Sequence, residues 1–154
     1  MINLFDRISR LKAVEREYLV VKQAVDRLRN SVIHEGDTLT NGTSPKDLIA
    51  AVDRLEATYL IRLWAEFETA VRSYYESSTN NPIATIRATD LINSVAGRRK
   101  GRSIDRPISD PVHRVREYRN SLVHDRNDQP PPVDVTVARR HLNNFLGRLI
   151  DYKP

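Results

Sequence analysis

Apolar residues recur every third or fourth position through the first stretch of the chain: Leu4, Ile8, Leu11, Val14, Tyr18, Val21, Val25, Leu28 and Val32. That spacing puts one stripe on a helix of about eight turns, with Gly36 and the loop around Gly42 ending it. The stripe predicts a core helix of a bundle; a coiled-coil seam is its other use.

Ser44-Pro45-Lys46-Asp47 reads as a helix start: Ser44 as cap, Pro45 at the first helical position, and Asp47 as the capping-box acid. The helix that follows carries Leu48, Val52, Leu55, Tyr59, Leu63, Phe67, Ala70 and Tyr74 on one face. A second stripe beside it is Leu60, Trp64, Glu68, Val71 and Tyr75. Its middle member is a carboxylate, and desolvating one is costly unless a cation or donor meets it. Glu68 therefore either snorkels to water from a rim position or meets an arginine from another helix.

Asn81-Pro82 is expected to open a shorter third helix through Val95, with Ile83, Ile86, Leu91 and Ile92 as its contacts and Gly97 as its stop. Asp110-Pro111 is expected to start a fourth, with Val112, Val115, Tyr118 and Leu122 facing the core. After Asn127-Asp128-Gln129-Pro130-Pro131-Pro132, which must be extended or turning, Asp134 caps a last helix carrying Ala138, Leu142, Phe145 and Leu149. Five helices with short connections and no strand signal predict an all-α, mostly antiparallel bundle. With 154 residues and no internal repeat, the chain reads as one domain over 1–154.

Composition narrows the chemistry. The chain has no cysteine, which excludes disulfides, Cys-zinc sites and thiol catalysis. No apolar run reaches the roughly 18 residues of a membrane span and no signal-peptide core is present, so a cytoplasmic protein with no membrane partner is expected. The net charge of +5 suits a polyanion such as RNA or DNA. The densest charge is Arg98-Arg99-Lys100-Gly101-Arg102. It is either a solvated loop or, for a phosphate backbone, a positioning element.

Polar chemistry collects on the fourth helix. His113, Arg116, Asn120 and His124 form one stripe, and Asn120 and His124, four apart, lie one above the other. Arg119 sits about 140° round from His124, nearer the apolar side, where Glu68 is the acid best placed by pattern to receive it. No His pair has ligand spacing with carboxylates, so a metal site fits poorly, and no cofactor motif is present. Ser121 lies mid-helix rather than in a nucleophile turn. RNA carries its own nucleophile, the 2′-hydroxyl, so a base and a cation can suffice to cleave it; histidine suits the first task and arginine the second. A structural histidine at a helix end is the plainer alternative.

Arg119-Asn120-Ser121-Leu122-Val123-His124 resembles the signature of the HEPN superfamily, an arginine and a histidine four to six residues apart with a polar residue after the arginine. Leu63 to Arg72 also looks like the segment in which many of these proteins carry an acid; the match falls on Glu68, with Glu66 as the alternative. The resemblance implies an all-α domain that forms a homodimer with its motifs facing one another. Many members are metal-independent endoribonucleases in toxin–antitoxin, phage-defence or RNA-processing settings. Carried over by position, His124 would accept the proton, Arg119 would bind the phosphate and its transition-state charge, Asn120 would orient, and Glu68 would hold Arg119. A toxin branch has a tyrosine two residues after the histidine, which its antitoxin modifies. Here that place is Arg126, so an antitoxin protein would have to act by another route. Other HEPN domains bind RNA, a nucleotide or a protein without cleaving.

Overall fold

The computed structural model describes residues 3–36, 39–79, 86–97, 103–124 and 129–151. Within these, the chain forms α1 (Leu4–Asn30), α2 (Pro45–Thr79), α3 (Ala88–Ala96), α4 (Arg106–Val123) and α5 (Val135–Asp151), with no strand among the described residues. No helix among them is long and apolar enough to cross a membrane.

Local chemistry explains most of the boundaries. Asn3 accepts from the Phe5 N–H to open α1. At its far end α1 runs into a π-helical turn over Ser31–Glu35, which Gly36 closes in the left-handed conformation (φ 74°) with its N–H on the Ser31 carbonyl. A side chain there would be strained, so glycine is the fitting residue. The box at the start of α2 forms as expected: the Asp47 carboxylate accepts from the Ser44 backbone N–H (2.8 Å) and hydroxyl (2.7 Å). In return the Ser44 hydroxyl accepts from the Asp47 N–H at 3.4 Å. These bonds hold the Asp47 carboxyl below the usual carboxylate range. Asp134 Oδ1 caps α5, accepting from the N–H groups of Thr136 (2.7 Å) and Val137 (3.1 Å).

Two starts differ from expectation. The Asn81-Pro82 start of the third helix lies outside the described residues; α3 itself begins only at Ala88, after an extended Arg87. The carbonyl of Ile86 accepts from Arg72 NH2 at 3.2 Å, which leaves it facing α2. The fourth helix begins a turn earlier than Asp110-Pro111: Asp105 occupies the cap, Pro107 fills the first turn, and Pro111 is buried inside the helix. Pro111 forgoes the bond that an N–H would give the carbonyl of Pro107, and gains burial against the core.

Cross-helix contacts fix the arrangement. Glu17 on α1 accepts from Arg62 at 2.7 and 2.9 Å and from the Tyr59 hydroxyl at 3.0 Å, while Arg10 approaches Glu66. Rising numbers on α1 meet falling numbers on α2, so the two are antiparallel. Arg139 of α5 donates to Glu15 at 2.8 Å. Phe67 bridges the layers, 5.3 Å from Trp64 and 5.7 Å, edge-on, from Phe145 (ring centroids).

The buried core takes the expected faces of α2 and α5, both stripes of α2 included. On α1 the stripe is buried only through Tyr18, and Leu28 is 44% exposed. α3 packs on α2 and α4, closing one end of the bundle.

Candidate active site

The last turns of α4 and its cap carry the three motif residues. The helix ends at Val123, and His124 takes the cap position with extended backbone (φ −116°, ψ 124°), its N–H on the Asn120 carbonyl at 3.0 Å. His124 is thereby placed on the last turn with its ring exposed. Arg119 is half-buried and donates from NH1 to the Asn120 side-chain oxygen at 3.1 Å; its buried Nε has no hydrogen-bond partner. Asn120 therefore orients the arginine rather than the imidazole. Its side-chain NH2 keeps two donors for other use.

Along the same face, Arg116 is mostly buried (side chain 17% exposed) and reaches only its neighbour Glu117, at 3.3 Å, with its Nε also unpartnered. His113, a turn earlier, lies 3.0 Å from the Asn93 side-chain oxygen on α3, so its Nε2 carries the proton in that contact. Burial, and after it the charge of Arg116, push the His113 pKa down, which keeps the ring neutral at neutral pH. α3 thus meets the first residue of the expected stripe, through Asn93.

The expected partner of Arg119 is engaged elsewhere. Glu68 accepts from Trp64 Nε1 at 2.9 Å and from Arg72 at 3.0 Å (Nε) and 2.6 Å (NH2). Glu68 does meet an arginine, but one of its own helix. An acid four residues before a cation is the favourable helical order, and the local pair orders less chain than a cross-helix one. Register adds a second reason. Tyr118, beside Arg119, has its pKa raised by burial and then by the charge of Glu56. Glu56, whose charge is felt by Tyr118, stands twelve positions before Glu68 on α2, about 18 Å of helix. Glu66, the alternative acid, faces Arg10 of α1. Sequence pattern gave no sign of Glu56, because only the packing of α2 on α4 selects which acid lies level with the motif.

Arg98, Arg99, Lys100 and Arg102, and likewise Arg126, lie outside the described residues. Comparison of the chain with protein-family models, curated proteins and solved structures finds no match.

Proposed function

We propose that the end of α4 is the active site of a HEPN-type, metal-independent endoribonuclease. The observation that carries this reading is the conjunction of a half-buried Arg119 oriented by Asn120 with an exposed His124 five residues on, at the cap of the same helix. A phosphate reaching Arg119 would meet a planar cation, and histidine is the side chain suited to take the proton of an RNA hydroxyl.

In the reaction, the 2′-hydroxyl oxygen attacks the adjacent phosphorus and its proton passes to His124. Arg119 stabilises the charge that gathers on the phosphoryl oxygens. The bond to the 5′-oxygen breaks, that oxygen takes a proton from water, and a 2′,3′-cyclic phosphate remains. Arg116, one turn before Asn120 and mostly buried, would bind a neighbouring phosphate, and by its charge alone the Arg98–Arg102 run, outside the described residues, is assigned to the RNA backbone. Two copies facing their motifs would cover Val123, 47% exposed beside His124. The setting we assign is a cytoplasmic toxin–antitoxin or phage-defence system, with a protein antitoxin as partner.

A second reading, an RNA- or nucleotide-binding module that does not cleave, has one observation in its favour: among the described residues no hydrogen bond orients the His124 ring. His124→Ala and Arg119→Ala separate the two. The catalytic reading expects His124→Ala to lower cleavage about 10²–10⁴-fold with unchanged helical circular dichroism, and Arg119→Ala to abolish it. Full activity in both variants would end it.

A further inference from the structure

Between α4, α5 and the Pro130–Pro132 run lies a cleft of about 400 Å³ that the proposed cleavage site does not use. That volume falls in the range of small-molecule sites, roughly 300–1,000 Å³. Its walls are the apolar faces of Pro111, Pro130, Val133 and Val137. Three groups with unspent hydrogen-bonding capacity stand around them: Arg114, Glu117 and His141. Arg114 is exposed, with no ion pair or hydrogen bond to another described residue. Glu117 has only the long, exposed contact with Arg116, which a ligand can displace.

The charges decide what kind of molecule fits. An anion would meet the Glu117 carboxylate, and the helix N-terminus that would draw it is already filled by Asp134. A cation would meet Arg114, and the Asp134 carboxylate in the lining is already held by the Thr136 and Val137 N–H groups. His141 does not tip the balance: burial, then Arg114 and Arg140, push its pKa down, so its ring offers one donor and one acceptor near neutral pH. What remains is a flat, neutral ligand with apolar faces and both donors and acceptors on its edge, which describes a nucleobase. Among the bases, only guanine sets two adjacent donors, N1–H and the N2 amino group, for a carboxylate to accept, while its O6 and N7 suit the arginine fork.

We propose that this cleft is a guanine pocket, with Glu117 on the N1–H and N2 amino edge, Arg114 on the O6 and N7 edge, and the proline and valine faces against the ring. The guanine belongs either to an RNA strand passing the end of α4, which rests on the ribonuclease reading, or to a free nucleotide, which does not. Glu117 lies seven residues before His124, on the same side of α4 and about 10 Å along it, so one strand can reach both.

Titration of the full chain with guanosine, adenosine, cytidine, uridine and inosine, followed by the NMR signals of the His141 ring, tests the pocket. His141→Gln assigns those signals. Guanosine is expected to bind at least tenfold tighter than each of the other four, inosine lacking the N2 amino group. Glu117→Gln, with helical content unchanged, should erase the preference for guanosine over inosine. Equal binding of all five, no shift of the His141 signals at millimolar guanosine, or a preference that survives Glu117→Gln would each overturn the proposal. Oligonucleotides of A, C and U with and without one G then separate the sources: tighter binding of the G-containing strand, competed by guanosine, assigns the base to RNA, and equal binding assigns it to a free nucleotide. The titration in His124→Ala keeps this result independent of cleavage.

Discussion

Replacing Glu68 with alanine removes three hydrogen bonds at once, one from Trp64 and two from Arg72. Trp64 is 2% exposed, so its Nε1–H would be left without an acceptor in the core. Stranding such a donor costs roughly 1–3 kcal/mol. The ion pair, with side chains 26% and 33% exposed, adds about 1 kcal/mol after solvent screening. The expected loss is roughly 2–4 kcal/mol, or about 4–16 °C in Tm for a chain of this size. Trp64 is the only tryptophan, so its fluorescence during urea unfolding reports the site itself. Glu68→Gln, whose amide oxygen can still accept from Trp64, should lose about half as much. RNA cleavage per folded molecule should change little in either variant, because Glu68 does not touch Arg119. A Glu68→Ala protein as stable as the original but without activity would refute this reasoning and restore the role of Glu68 in holding Arg119.

The Glu15–Arg139 pair joins the first and last helices with side chains only 12% and 23% exposed. Arg139→Ala should cost roughly 2–4 kcal/mol by stranding the acid, and a urea midpoint no different from the original would count against the pair. The capping box makes a pH-dependent prediction. Its bonds lower the Asp47 pKa, so their stabilisation is present above the unfolded carboxylate value and lost as pH falls through the folded one. Ser44→Ala should therefore destabilise at neutral pH and converge on the original protein in acid, as read by thermal melts across pH; a constant difference would contradict it.

What the sequence made legible was local. The Ser44–Asp47 box and the Asp134 cap lie within three residues of their donors, and the chemistry of such motifs hardly depends on the rest of the fold. The stripes of α2 and α5 were readable for the same reason, since helical period alone sorts their faces. What failed needed distant partners. Two acid-then-proline patterns compete to start α4, and burial of Pro111 settles the contest for the earlier one, Asp105 with Pro107. The outer part of the α1 stripe is not buried, and Leu28 stays exposed because α2 and α5 do not cover it. The Arg119–Glu68 pairing was inferred from type and face, whereas the level at which two antiparallel helices meet comes from core packing. The same packing brings Arg114 and Glu117 of α4 together with His141 of α5 around one cleft, which spacing along either helix could not show.

We propose that the end of α4 cleaves RNA by internal attack. It is tested most directly by incubating the protein with a mixed-sequence RNA in EDTA and analysing the product ends. Fragments are expected to end in 2′,3′-cyclic phosphate, with no cut at a position where a 2′-deoxyribonucleotide replaces the ribonucleotide. Intact RNA, cleavage that needs an added divalent ion, or cutting at the deoxy position would contradict it.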